Sequence, residues 1–192
     1  MTRQAVPPEE ESHRALLRRV AQQDHEAFAE IYRAYEGRVF RFIQKKLNDP
    51  FEAADVLHNV FLDVWRTAAN FGEKSRVSTW LLGIAFNKTM DRLRKKSPVT
   101  DLDDGEGREV ASDDPSALDL IEVAEEAAEV RHCLDKLSAE QRTVVELAFY
   151  QELSYADIAQ VIGRPEGTVK TRVFHAKQSL KRCLVRRLRR SA

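Results

Sequence analysis

Between Thr168 and Lys181 the chain sets out Thr168, Lys170, Thr171, Arg172, Phe174, His175, Lys177, Gln178 and Lys181, interrupted by Val169, Val173, Ala176 and Leu180. The apolar members recur at steps of four, three and four. On a helix they therefore share one face and leave the donors and cations on the other. Lys and Arg neutralise phosphates, while Thr, Lys and His hydrogen-bond base edges. Phe174 amid those cations fits contact with a thymine methyl group. The face has the chemistry of a DNA-reading surface, although a solvated amphipathic helix carries the same charges. No catalytic constellation stands beside it: the sequence has no Gly-rich phosphate loop, no nucleophile-base pair and no clustered metal ligands. Enzymatic activity and a cofactor are not expected. His132-Cys133 invites a metal reading, but adjacent helical residues point about 100° apart and no second pair accompanies them. Cys133 and Cys183 are too few for a disulfide framework and are expected to be structural.

The elements that position this face are legible on both sides of it. Ile158, Ala159 and Ile162 form the inner face of a short helix, Gly163 is placed to end it, and Pro165 to start the next. Two helices joined by a tight Gly-containing turn, the second with a donor-rich outer face, describe a helix-turn-helix. "SAEQ" at 138–141 and "SYAD" at 154–157 read as capping boxes, and Val130, Leu134 and Leu137 as an apolar stripe.

Residues 24–96 form another helical block. Phe28, Ile31, Tyr32, Tyr35, Val39, Ile43 and Leu47 mark one amphipathic helix. "NDPFE" starts the next, with Asp49 as cap, Pro50 at the first position and Glu52 completing a capping box. Its stripe is Ala54, Leu57, Phe61, Val64 and Trp65. A third helix opens near Ser78-Thr79-Trp80, carries Leu81, Ile84, Ala85 and Leu93, and ends in "RLRKK", which complements the helix dipole. Eleven of the fifteen aromatic residues lie between Phe28 and Phe86, so this block has the larger core.

A net charge of zero, from 31 basic and 31 acidic residues, hides a segregation. Asp101 to Glu126 holds eleven acidic residues against Arg108, a net of −10, while Arg164 to Arg190 holds ten basic residues against Glu166, a net of +9. The pattern predicts a nucleic-acid face and a separate acidic stretch. Residues 97–117, "SPVTDLDDGEGREVASDDPSA", cannot build a core and are expected to be a flexible linker. That linker could stretch to roughly 70 Å and would average about 25 Å as a coil. No run reaches the ~18 apolar residues of a membrane helix, and the opening "MTRQAVPPEEESHR" lacks the apolar core of a signal peptide. The expectation is a cytoplasmic, all-α protein with two small helical domains. Residues 1–23 form a partly flexible N-terminal segment, 24–96 the first domain, 97–117 the acidic linker, and 118–192 the helix-turn-helix domain with a basic tail.

The stretch "LSAEQRTVVELAFYQELSYADIAQVIGRPEGTVKTRVFHAKQSL" resembles region 4 of bacterial sigma factors. The first block resembles region 2 of the same family, through "DPFEAADVLHNVFLDVWRTAANF" and "STWLLGIAFNKTMDRLRKK". Two such domains with a short linker and no further regions are similar to the extracytoplasmic-function (ECF, group IV) subclass. The resemblance covers most of the chain, apart from the first twenty-odd residues and the linker. It implies a transcription initiation factor: region 2 binds the clamp helices of the RNA polymerase β′ subunit and melts the −10 element, and region 4 binds the β flap and reads the −35 element. It also implies an anti-sigma factor as partner, one that in some members is bound to the inner membrane.

Carried onto this chain, the resemblance places the polymerase-binding surface on Asp55, His58, Asn59, Phe61 and Asp63. The family usually has Gln-Glu where His58-Asn59 stands, and often Arg where Phe86 stands. The −10 side falls on Ser75, Arg76, Ser78 and Thr79, on Asn87 and Lys88, and on Arg92, Arg94, Lys95 and Lys96 following the backbone. Melting needs stacking surfaces and cations of this kind. Trp80 is open to two readings, core residue or stacking platform. For the −35 element, Lys170, Thr171, Phe174 and His175 would meet base edges; Arg164, Thr168 and Arg172 would position the backbone, and Lys177 lies on the same face. The alternatives are a stand-alone helix-turn-helix regulator, binding palindromic duplex without polymerase, and a helical protein-interaction adaptor.

Overall fold

The computed structural model describes residues 8–96 and 128–191, in two compact units: one before residue 100, with which Gln160–Gly163 cluster, and one formed by the remaining residues after it. Every regular element among the described residues is helical. Residues 1–7 and the expected linker, 97–117, lie outside them.

The first unit comprises α1 (Pro8–Val20), α2 (His25–Leu47), α3 (Pro50–Thr67), a single 3-10 turn at Ala68–Asn70, and α4 (Val77–Lys96). Local chemistry sets its boundaries. Asp24 caps α2, its carboxylate accepting from the amides of Glu26 and Ala27 at 3.0 Å each. Asn48 ends α2 in the left-handed region at φ 53°, which its short polar side chain tolerates. Asp49 at once caps α3 through the amides of Phe51 and Glu52, with Pro50 following as expected. Glu52 does not turn back to complete a box; it reaches Arg92 and Lys96 on α4.

The core is built from Ile31, Val39 and Ile43 of α2, Val60 and Val64 of α3, and Leu81, Leu82 and Ala85 of α4, each almost wholly buried. Phe61 packs with Tyr32 at 4.5 Å between ring centroids and with Phe28 at 6.3 Å. The expected α3 stripe is out of phase at one position. Ala54 is exposed, whereas Ala53, Val56 and Val60 are buried, because α3 packs on both α2 and α4 and buries a broader face than one stripe. The expected start of this domain at residue 24 also leaves out α1, which seals Leu17 and Val20 into the unit.

After residue 100 come α5 (helical over 128–135), α6 (Ala139–Phe149), α7 (Tyr155–Ile162) and α8 (Glu166–Ser191), which make up the second unit apart from the end of α7. Ser138 and Gln141 form the expected capping box at the start of α6. Before α7, the Asp157 amide donates to Ser154 Oγ at 3.1 Å and the Ser154 hydroxyl to the Asp157 carboxylate at 2.6 Å. Leu137, Val145 and Ala176 form the core, with Leu134 and Leu180 packed against it. Val130, expected in that stripe, is 42% exposed. The two cysteines are not independent structural residues: Cys133 and Cys183 form a disulfide between α5 and α8, with Cα atoms 5.7 Å apart.

Candidate nucleic-acid interface

Gly163 stops α7 at φ +62°, a conformation that L side chains rarely adopt, and a Cβ there would meet nothing within 4 Å. The requirement is on the backbone alone. After Pro165 the chain re-enters a helix, and the amides of Thr168 and Val169 donate to the Pro165 carbonyl. Val169, Val173 and Ala176 then turn inward, each no more than 2% exposed.

This phase leaves Arg164, Lys170, Thr171, Phe174, His175 and Lys177 on the exposed side, with Thr168 and Arg172 half-buried. Phe174 is 57% exposed, its ring 5.5 Å from that of His175. Lys170 Nζ pairs with Glu166 at 2.8 Å one turn back, and Thr171 Oγ1 donates to the Gly167 carbonyl at 3.0 Å. Arg172 lies 2.6 Å from Glu140 on α6, so its guanidinium ties α8 to α6. Lys177 sits 5.4 Å from the ring centroid of Phe149, within cation–π range. Phe149, 57% exposed, extends the aromatic content of this face beyond the residues expected from sequence, and its neighbour Tyr150 is 60% exposed. Two adjacent aromatics falling outside the apolar period at the end of α6 were the available signal.

In the first unit, the segment between the 3-10 turn and α4 carries Ser75 and Arg76, followed by Ser78 at the start of the helix. Trp80 is half-buried against Phe71, ring centroids 5.3 Å apart, so it packs on the base of this loop. Thr79 is 2% exposed and its hydroxyl is not offered at the surface, whereas Asn87 is exposed. The cations of α4 are paired: Lys88 with Asp63 at 2.7 Å, Arg92 with Glu52 at 3.4 Å, Lys96 with Glu52 at 2.5 Å, and Arg94 with Asp91 at 3.2 Å. Arg76 and Lys95 are exposed.

Residues of α1 also reach this loop. Glu10 accepts from the Val77 amide, Arg14 donates to the Ser75 carbonyl, and Arg18 pairs with Glu73. The hydrogen bond from Arg18 holds the Glu73 carboxyl below the usual carboxylate range, and the same contact raises Arg18. Burial, reinforced by the Glu10 charge, pushes the Tyr35 phenol up; its oxygen is 2.8 Å from His13 Nδ1, fastening α1 to α2. Nothing in sequence spacing marks the contacts of Glu10, Arg14 and Arg18, which join residues some sixty positions apart.

On α3, Asp55, His58 and Asn59 share an exposed face, with Asn59 Nδ2 donating to the Asp55 carbonyl at 2.8 Å. Phe61 does not belong with them. It is 2% exposed inside the aromatic cluster, and that expectation is corrected: its spacing from Asn59 turns it about 200° around the helix, into the core. Asp63 is half-buried in its pair with Lys88. Phe51, 85% exposed at the first turn of α3, adds an apolar side chain to the exposed surface. Among the described residues no helix is long and apolar enough to cross a membrane, and no three His, Cys, Asp or Glu side chains are placed to hold a metal ion.

Comparison with known proteins divides the chain in the same two parts. The family model for Sigma-70 region 2 matches residues 31–99, and that for Sigma-70, region 4 matches residues 127–180. An ECF RNA polymerase sigma factor SigK of Mycolicibacterium vanbaalenii is 34% identical over 173 residues, 88% of each chain. One of the same description from Mycobacterium tuberculosis is 34% identical over 178 residues, 88% of this chain and 92% of the relative. Two solved structures share the fold. CnrH in complex with the cytosolic domain of CnrY matches with a TM-score of 0.61 at 21% identity, over 90% of this chain and 97% of that one. The sigma factor RpoE in complex with the anti-sigma factor NepR, from Bartonella quintana, matches with a TM-score of 0.62 at 22% identity, over 82% and 96%.

Proposed function

Because the chain belongs to the ECF RNA polymerase sigma factors of the sigma-70 family, we propose that it divides promoter recognition between its two units. Residues 24–96 take the β′ clamp helices and the −10 element, and residues 118–192 take the β flap and the −35 element. The intervening acidic segment tethers them, raising the effective concentration of one unit at its site once the other has bound. The observation that carries this reading is the outer face of α8, where Lys170, Thr171, Phe174 and His175 stand exposed behind a turn that Gly163 makes possible. A helix so presented fits the major groove, with the residues near its N-terminus at base edges. Arg172, held by Glu140, acts mainly by fixing the angle of that helix.

In the first unit, the exposed face of Asp55, His58 and Asn59 is the polymerase-binding surface, and the loop ahead of α4 receives the melted strand. Ser75, Arg76 and Ser78 supply donors there, while Asn87, Lys88, Arg92, Arg94, Lys95 and Lys96 follow the backbone. The protein supplies address and strand opening, and polymerase the chemistry, so it is not itself an enzyme. It acts in the cytoplasm and is held inactive by an anti-sigma factor.

The test adds the purified protein to sigma-free core polymerase on a promoter library. Selective initiation at templates sharing −10 and −35 elements is expected. Absence of selective transcription, above all if the protein alone binds palindromic duplex tightly, would replace this reading with the stand-alone regulator.

A further inference from the structure

α4 begins without a cap of its own. Arg76 precedes it and carries no side-chain acceptor, so the first amides of the helix need one from elsewhere. Glu10 supplies it from α1: its Oε1 accepts from the Val77 amide at 2.8 Å, and the residue is only 8% exposed. A carboxylate at that end also complements the helix dipole. The same oxygen accepts from Arg14 Nε at 3.2 Å. Arg14 Nη2 donates to the Ser75 carbonyl at 3.2 Å, and its Nη1 lies 3.6 Å from one oxygen of Glu73. One turn further along α1, Arg18 Nε donates to the other oxygen at 2.8 Å.

Glu10, Arg14 and Arg18 stand at four-residue steps and so share one face of α1. Three consecutive turns of one helix thus grip three points of a five-residue segment: the Glu73 side chain, the Ser75 carbonyl and the Val77 amide. Glu73 itself has φ 53°, a left-handed backbone that a non-glycine residue keeps only where its surroundings hold it. The grip extends through the segment that carries Ser75 and Arg76 and leads into Ser78 and Trp80.

We propose that Glu10 and Arg14 are positioning residues for −10 recognition. α1 holds the loop before α4 in the shape that receives an unstacked strand, without itself touching DNA. The proposal rests on the reading of this loop as the −10 surface. A loop held in its receiving shape binds with its full intrinsic affinity; one that visits other shapes binds more weakly in proportion to the time it spends in them.

The test uses the full chain assembled with core polymerase. The probe is a fluorescent single strand carrying the −10 element of a promoter recovered from the library, with a scrambled strand as reference. Glu10→Ala is expected to weaken −10 strand binding about tenfold or more, the scale of a charge-assisted hydrogen bond left unmade, with core affinity unchanged. Glu10→Gln keeps an acceptor for the Val77 amide and should stay within about threefold of the parent. Amide exchange at Val77 should accelerate in Glu10→Ala and not in Glu10→Gln. Should Glu10→Ala not fold, Arg14→Ala, which leaves the cap in place but removes the hold on the Ser75 carbonyl, decides on −10 strand binding against core affinity. Unchanged −10 selectivity in the variant overturns the positioning role, as does a loss matched by equal losses in core affinity and thermal stability. If the parent chain fails to distinguish the −10 strand from the scrambled one, the underlying reading has failed and the proposal falls with it.

Discussion

Reduction of the Cys133–Cys183 bridge is expected to destabilise the second unit selectively. The bond closes a loop across a sequence separation of 50 residues. In the chain-entropy account, releasing such a loop returns about 14 cal/mol/K to the unfolded chain, or about 4 kcal/mol at 25 °C. A small helical unit has a total stability of about 5 kcal/mol, so the loss would leave it marginal. Reductant is the cleaner perturbation, because Cys133 is 1% exposed and a serine there would bury a hydroxyl. The molecule carries its own internal control. Its two tryptophans, Trp65 and Trp80, both lie in the first unit, so indole fluorescence follows that unit while far-UV circular dichroism follows both. In urea, reductant should split the dichroism curve, moving one transition down by about 2 to 4 M for a slope near 1 to 2 kcal/mol/M. The fluorescence transition should stay in place. A dichroism curve indifferent to reductant would refute the reasoning, and so would a fluorescence midpoint that moves by the same amount.

Three further outcomes are open to measurement. Gly163→Ala should cost about 1–2 kcal/mol of stability, because it forces a side chain into the left-handed region; Gly163→Asn should cost less, and equal effects in urea titrations would contradict the backbone argument. Lys170→Ala and His175→Ala should each relax discrimination at one −35 position by about 1–3 kcal/mol, with core affinity unchanged in a pull-down. Asp55→Ala should lower core affinity roughly tenfold, the scale of an interface residue whose truncation costs above 1 kcal/mol, while leaving the binding of −35 duplex untouched; normal assembly with core would count against the exposed α3 face.

The helix-turn-helix was legible because its signals are local. Gly163, Pro165 and the steps from Val169 to Ala176 act within a few residues of where they stand, and the structure places each as periodicity requires. The capping box at Ser138 and the cap that Ser154 gives the Asp157 amide were legible for the same reason. Phase was harder to read. α3 packs on two neighbours, so Ala53 and Val56 enter the core beside Leu57, and Ala54 turns out. Periodicity puts Phe61 in the apolar stripe and the family resemblance puts it on the polymerase face; its burial follows the periodicity. What sequence did not disclose were the contacts between distant positions: Glu10 with Val77, Arg14 with Ser75, and Cys133 with Cys183. Two cysteines far apart carry no periodicity, and a glutamate in the first turn of α1 has a sufficient local explanation in the helix dipole.

The internal ion pairs have a consequence for how the protein would meet stray DNA. Lys88, Arg92, Lys96, Lys170 and Arg172 each already face a carboxylate of their own unit. A phosphate approaching any of them exchanges one anion for another, and that exchange gains little from the release of condensed counterions that drives non-specific binding. Affinity for arbitrary duplex should therefore fall less steeply with salt than the number of basic side chains implies. Cations committed in this way contribute where the DNA fits well enough to displace Glu52, Asp63, Glu140 or Glu166.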